Sequence, residues 1–182
     1  MGGKNLKKFT INIVLILVAI IIYFLQENFF HWFTIAGIMP NLFIIFVLFI
    51  GLFANRTMGT IYGVIIGLVL DCLVETKIGI NAVSLGIVGL LAGIFDKNFS
   101  KDSRMTIMIM VLGMTILLEI VQYFLNYVIF SINVEIFSFI KILIIEAIYN
   151  IIITIIIYPL MKKFGYYMEN EYKGNKILTR YF

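Results

Sequence analysis

The sequence predicts an all-α integral membrane protein with six transmembrane helices. Three observations indicate this class: hydrophobic residues make up 62% of the chain, charged residues make up only 13%, and the mean hydropathy is +1.07. A water-soluble protein of 182 residues needs a more polar exterior than this composition can supply. Apolar runs long enough to cross about 30 Å of hydrocarbon take up nearly the whole chain, so we expect a single membrane domain, residues 1–182.

Six apolar segments are the predicted spans. They are residues 9–25, 38–54, 58–74, 81–95, 106–130 and 137–161, followed by a cytoplasmic tail, residues 162–182. The first segment follows three lysines, as a secretory signal does, but no small-residue cleavage site comes after it, so we expect a retained span. Only residues 55–57 separate the second and third spans, which predicts an antiparallel hairpin, and Gly79 is the predicted turn residue before the fourth span.

The basic residues predict the orientation. When the loops are assigned to alternate sides of the membrane, the two tails, the link with Arg56 and the loop with Lys97 and Lys101 lie on the same side. That side carries every lysine and arginine except Lys77 and Lys141. By the positive-inside rule both termini are then cytoplasmic, which requires an even number of spans. Because the basic residues are spread over loops instead of one face, we do not expect nucleic acid as a partner.

A stripe of glycines runs along the third span. Gly59, Gly63, Gly67 and Asp71 follow one another at intervals of four residues, and this spacing keeps them on one side of a helix. Side chains this small leave a groove that another helix can enter. We interpret the stripe as a docking face for a partner protein's helix. The alternative is packing within the chain, against a matching set of small residues in the fourth span: Gly86, Gly89 and Gly93.

Asp71 ends this stripe at membrane depth, where an ionisable side chain is costly unless it faces protein or water. It could lie at the membrane interface and pair loosely with Lys77. The interpretation that we favour makes it a helix cap, which accepts hydrogen bonds from Asn81 and its backbone and so fixes the turn between the third and fourth spans.

Polar side chains also interrupt the last two spans. Glu119, Gln122 and Asn126 share one face of the fifth span, and Glu146 precedes Asn150 by four residues in the sixth. We expect these intramembrane polar residues to face the bundle interior or a cavity. Pairing of either glutamate with Lys141 is conceivable from the spacing.

The sequence carries no pattern typical of catalysis. It has no serine with an available histidine, no zinc-protease motif, no Walker loop and no dinucleotide fingerprint, so we expect neither an enzyme nor a bound cofactor. A carboxylate dyad of Glu119 and Glu146 is the one arrangement left open. The single cysteine, Cys72, and the single histidine, His31, are interpreted as packing or interface residues, and no metal site is predicted.

Several short motifs resemble the MreD family of bacterial rod shape-determining membrane proteins, roughly over residues 40–126. They are Pro40-Asn41-Leu42 at the start of the second span, Gly63, Gly67 and Asp71 in the third, and Gly79-x-Asn81 leading into Gly86, Gly89 and Gly93. The resemblance implies a non-enzymatic, multi-pass protein of the cytoplasmic membrane. Its implied partner is an MreC-like protein, and through it an MreB-like filament and the peptidoglycan synthase pair of the side wall.

The MreD family is also similar in fold to the substrate-binding subunits of energy-coupling-factor vitamin transporters. This similarity supplies the alternative function, in which Glu119, Gln122, Asn126 and Glu146 would line a ligand pocket. Such subunits carry an alanine-x-x-x-alanine face on the first span, and this chain offers only Ala19 there. A lipid-handling or ion-conducting bundle is a third, weaker hypothesis, motivated only by the intramembrane carboxyl groups.

Overall fold

The computed structural model describes residues 2–73, 78–96, 101–131 and 135–173, with side chains from residue 6 onward. Within these residues every named element is a helix, which confirms the all-α prediction. The six α-helices are α1 (Gly2–Phe24), α2 (Leu42–Phe53), α3 (Arg56–Leu73), α4 (Ile80–Phe95), α5 (Arg104–Phe130) and α6 (Ile136–Lys173). A π-helical turn, Leu25–Phe29, and a 3-10 turn, Phe30–Phe33, continue α1.

The six helices differ in whether they could cross a bilayer. Four are long and apolar enough: Leu6–Phe33, Arg56–Leu73, Arg104–Phe130 and Ile136–Lys173. The other two are shorter, with 12 residues in α2 and 16 in α4. At 1.5 Å per residue they extend about 18 and 24 Å, less than the hydrocarbon core of about 30 Å. Of the six predicted spans, four therefore correspond to helices long enough to cross a bilayer, and the remaining two segments form shorter apolar helices.

The shortness of α2 follows from its surroundings. All 12 of its residues are buried, and it contacts α1, α3, α4, α5 and α6. Irregular backbone at membrane depth is tolerated where protein encloses it, so α2 can begin inside the bundle, at Leu42, instead of at residue 38 as predicted. The helix is thus the centre of the fold, and the others surround it.

The helix of the sixth span extends beyond the predicted span. That span was expected to end at residue 161, with a tail after it, and α6 continues to Lys173. A Cβ on Gly165 would lie 2.7 Å from the ring of Phe53, and Met168 is fully buried. Residues 162–173 therefore pack against the end of α2. The interpretations that involve Lys77, Lys97 and residues 174–182 fall outside the described residues.

Candidate functional site

The glycine stripe of α3 is a helix-docking face, and the helix that occupies it is α4 of the same chain. A Cβ on Gly63 would lie 2.3 Å from the carbonyl oxygen of Leu85, and one on Gly67 would lie 2.4 Å from that of Asn81. These contacts are backbone against backbone, so no side-chain movement could relieve them. A partner's helix cannot enter this face while α4 lies there. The glycine stripe therefore packs within the chain, against α4.

The small residues of the fourth span take part unequally in this contact. Gly59 packs on Gly89, and a Cβ on Gly89 would lie 2.1 Å from the Gly59 carbonyl oxygen. A Cβ on Gly93 would lie 2.2 Å from the Cα of Arg56, whereas one on Gly86 would meet only a side-chain methyl group at 2.8 Å. Close backbone approach therefore extends over the length of the α3–α4 pair.

Asp71 caps the first turn of α4. Its carboxylate accepts hydrogen bonds from the backbone N–H groups of Gly79 at 2.8 Å, Asn81 at 3.0 Å and Ala82 at 3.2 Å. The first N–H groups of a helix have no partner within the helix, and Asp71 is fully buried, so this carboxylate replaces water for three of them. Gly79 has a φ of +110°, a conformation that suits glycine, at the turn predicted there.

Gln122 connects this turn to α5. Its side-chain amide donates a hydrogen bond of 2.8 Å to the side-chain oxygen of Asn81. One turn further on, the Asn126 amide donates to the Gln122 carbonyl at 2.9 Å, within the same helix. Gln122, on the predicted polar face of α5, thus contacts α4.

Asn150 joins α6 to the start of α2. Its side-chain oxygen accepts a hydrogen bond of 2.8 Å from the backbone N–H of Asn41, the N-cap of α2, which follows the buried Pro40. Its amide donates to the Thr115 hydroxyl at 3.0 Å and to the Glu146 carboxyl at 3.5 Å. Asn150 is fully buried and lies 14 residues, about 21 Å, along α6. The start of α2 is therefore deep inside the bundle.

Two further acceptors complete this cap. The side-chain oxygen of Gln26, from the turn that follows α1, accepts from the Leu42 N–H at 3.1 Å. The side-chain oxygen of Asn41 accepts from the Ile44 N–H at 3.3 Å. Side chains of α1 and α6 thus replace the water that the start of an exposed helix would bind.

Glu119 and Glu146 lie together between α5 and α6. They are 9% and 6% exposed, and their carboxyl groups are in contact with each other. Among the described residues, no Lys, Arg or His nitrogen lies within 4.0 Å of either carboxyl group. The pairing with Lys141 is therefore not formed, and the Lys141 side chain is exposed.

These residues form two hydrogen-bonded groups, which together we call the polar network. One, at the start of α4, is Asp71, Asn81 and Gln122. The other, at the start of α2, is Asn41, Thr115, Glu119, Glu146 and Asn150. The polar network thus contacts the starts of both short helices. Every buried side-chain nitrogen and oxygen of the described residues has a hydrogen-bond partner, so the network is closed. It also includes most of the predicted intramembrane polar residues.

A second polar group, at the other end of α2, was not predicted. We call Asp96, Lys101, Glu169 and Lys173 the ion cluster. Both ammonium groups donate to the Leu52 carbonyl oxygen, Lys101 at 3.0 Å and Lys173 at 2.7 Å. Lys173 also pairs with Asp96 at 2.6 Å, and Lys101 pairs with Asp96 and, at 2.8 Å, with Glu169. Cations suit the negative end of a helix dipole, so the cluster stabilises the end of α2.

The charges of the ion cluster depend on one another. Burial acts to raise the pKa of Asp96, but hydrogen bonds and charges from Lys101 and Lys173 outweigh it and hold that pKa below its ordinary value. Burial acts to lower the pKa of Lys101, and the carboxylates of Asp96 and Glu169 outweigh it and raise that pKa. The only local signal for this cluster is the four-residue spacing of Glu169 and Lys173, which are 3.7 Å apart.

An apolar groove lies between α1 and α3. It encloses about 240 Å³, and its lining is almost entirely hydrocarbon. Its lining includes Ile16 and Ala19 of α1 and Ile65 and Val69 of α3. In the described part of the chain, no group of three or more His, Cys, Asp or Glu side chains could hold a metal ion.

Comparison with known proteins identifies the family. The family model described as rod shape-determining protein MreD matches residues 6–168, which include both short helices and the whole polar network. No curated protein and no solved structure gives a significant match, so the likeness to the substrate-binding subunits of vitamin transporters stays a prediction. Over most of its length, and with helices able to span a bilayer, this membrane protein belongs to the MreD family of rod shape-determining proteins.

Proposed function

We propose that this chain is a non-enzymatic scaffold of the cell-elongation machinery in the bacterial cytoplasmic membrane. It binds the membrane anchor of an MreC-like partner and helps to position side-wall peptidoglycan synthesis, and its effect on an MreB-like filament and on the synthase pair is indirect. Membership of the MreD family supports the role in rod shape. The distribution of basic residues supports cytoplasmic termini.

The closed polar network is the observation that carries this proposal. A ligand site needs a few polar groups that converge on an open pocket. Here Gln122 is bonded to Asn81, and Asn150 is bonded to the backbone of Asn41. The groups that a vitamin-binding subunit would offer to its ligand are used to hold helices of the same chain together. This use favours a scaffold over the transporter alternative.

The glycine stripe contributes to the scaffold indirectly. Since α4 fills it, the glycines cannot also hold a partner's helix. They bring α3 and α4 into backbone contact, and Asp71 fixes the turn between them. We therefore assign Gly59, Gly63 and Gly67 the role of shaping the hairpin whose outer face meets the partner.

The partner surface that we propose is the apolar groove between α1 and α3. In the most apolar 18-residue stretch of each long helix, 11% of the residues are buried in α1 and 28 to 33% in the other three helices. Of these four helices, α1 therefore has the most surface free for another helix. Helices associate in lipid through close packing of complementary shapes. The small side chain of Ala19 lets a partner helix approach the floor of the groove.

Co-purification of an MreC-like partner with the full-length protein tests this surface. Ala19→Trp and Val69→Trp would fill the groove, and we expect each to reduce recovery of the partner at least tenfold. The control is Ile109→Trp, on the exposed face of α5 and outside the groove. Undiminished recovery with both groove variants would exclude the groove as the docking surface.

A second measurement separates the scaffold from the transporter alternative. Ligands that bind only the folded state raise the Tm by an amount that grows with the logarithm of their concentration above the Kd. We expect a panel of vitamins to leave the Tm of the purified protein unchanged. Concentration-dependent stabilisation by one of them would favour a substrate-binding subunit.

A further inference from the structure

Glu119 and Glu146 are two buried carboxyl groups in contact with each other. An ionised carboxylate has acceptor oxygens only, so two ionised carboxylates cannot hydrogen-bond to each other. With one proton on the pair, one carboxyl group becomes a donor, and the contact becomes a hydrogen bond.

Amide groups contact Glu146, but the described surroundings supply no cation to balance two negative charges. Within the described residues, no cation lies within 4.0 Å of either group. The packed helices α2 and α4 contain no charged residue, Asp71 of α3 faces backbone N–H groups, and the Lys141 side chain is exposed. Burying two unpaired like charges is very costly, whereas a single proton leaves one charge, which the amide of Asn150 contacts at 3.5 Å.

We propose that Glu119 and Glu146 bind one proton between them, that this proton fastens α5 to α6 beside the start of α2, and that its release loosens this junction. Release leaves two carboxylates in contact, and their repulsion drives the two helices apart. Asn150 contacts both Glu146 and the N–H of Asn41, so the movement reaches the cap of α2. The reaction is the loss of a proton to a base in water, with no other reactant.

Substitution by glutamine separates the proton from the hydrogen bond. A glutamine at either position donates an N–H to the remaining carboxylate, as the protonated carboxyl group does, but it does not titrate. Glu119→Gln and Glu146→Gln should therefore keep the contact and lose the titration. The matched control is Glu135→Gln, since Glu135 is exposed and precedes α6.

Infrared spectroscopy of the full-length protein in dodecyl maltoside, a detergent without carbonyl groups, reports the proton directly. At neutral pH exposed carboxyl groups are ionised, so a protonated carboxyl C=O band identifies a retained proton. We expect this band in the wild type and in Glu135→Gln, and its loss in Glu119→Gln and Glu146→Gln.

The Tm provides an independent reading of the same event. A folded protein that holds a proton which the unfolded chain has released loses stability as the pH rises. We expect the Tm of the wild type and of Glu135→Gln to fall above neutral pH, and the Tm of either glutamine variant to fall less.

Absence of a protonated carboxyl band from the wild type at neutral pH would overturn the proposal, even if neither glutamine variant folds. A band that both glutamine variants retain undiminished would overturn it equally. The measurement needs no partner protein, so its outcome is independent of whether an MreC-like anchor binds in the groove.

Discussion

The side chain of Asn150 in α6 accepts a hydrogen bond of 2.8 Å from the backbone N–H of Asn41, 109 positions earlier in the chain. This bond lets α2 begin in the interior of the bundle, because it supplies an acceptor where water is excluded. The same side chain reaches Thr115 of α5 and Glu146 of its own helix. One buried amide thus connects three helices.

Replacing Asn150 should be strongly destabilising. Asn150→Leu leaves the buried Asn41 N–H without its acceptor, and a buried unsatisfied group costs about 1–3 kcal/mol. It also removes the donor to the Thr115 hydroxyl, which keeps its own bond to Val111. Thr115→Val removes only the contact to the hydroxyl, so its effect should be smaller. Denaturation of the purified variants, followed by circular dichroism, measures both. Equal losses would contradict the central role of the amide.

Adding a methyl group to the glycine stripe should separate α3 from α4. Gly63→Ala would bring the new Cβ within 2.3 Å of the Leu85 carbonyl oxygen, and overpacking of this kind costs about 1–3 kcal/mol. Gly67→Leu should be worse, since its larger side chain meets the backbone of Asn81 and Ala82. Thermal denaturation of each variant gives the comparison.

Gly113→Ala is the matched control for the stripe. Nothing lies within 4 Å of a Cβ at that position of α5. Because alanine is the better helix former, we expect the control to be neutral or stabilising by up to about 1 kcal/mol. A similar loss at positions 63 and 113 would show that close α3–α4 contact is not the cause.

The cap of α4 should depend on the acceptors of Asp71 more than on its charge. Asp71→Ala removes the acceptor of three backbone N–H groups, and loss of a helix cap alone typically costs about 0.5–2 kcal/mol. Asp71→Asn keeps one acceptor oxygen, so it should be the milder change. The Tm values should therefore decrease in the order wild type, Asp71→Asn, Asp71→Ala. A reversed order for the two variants would argue against capping.

The ion cluster should make stability depend on pH in the acidic range. The pKa of Asp96 is lowered, so its contribution is present above the ordinary pKa of an aspartate and is lost as the pH falls through the lower value of the folded protein. We expect the Tm to decrease over this range.

Asp96→Asn tests the acidic limb of this profile. The variant should lose the part of the acid dependence that comes from Asp96 and have a lower Tm at neutral pH, because the two lysines lose a carboxylate partner. Asp102→Asn is the control, since the Asp102 side chain is largely exposed. If the Tm of Asp96→Asn depends on pH in the same way as that of the wild type, the ion cluster is not the cause of the acid dependence.

The sequence predicts the existence and order of the helices because each is a distinct apolar run. Apolar runs do not reveal which helix is central, since burial in protein and contact with lipid select the same side chains. The burial and late start of α2 therefore became visible only in the fold. In the same way, small residues on both α3 and α4 predict close packing but do not tell whether the neighbour belongs to the same chain.

The polar residues were predictable to different degrees. The cap by Asp71 was predictable because its partners follow it within 11 positions. The ion cluster was not, because its members extend from Asp96 to Lys173 and one of their acceptors is a backbone carbonyl. The helical segment after residue 161 has polar and aromatic residues typical of a tail, and only the packing of Gly165 and Met168 explains why it stays helical.

The central helix has a consequence for biosynthesis. Its first turn takes an acceptor from Asn150 and its last turn a donor from Lys173, both in α6, which is synthesised after the other five helices. While the chain is being made, α2 would therefore lack part of the capping at both of its ends. Its stable insertion has to wait until α6 arrives, so a late helix completes the membrane integration of an early one.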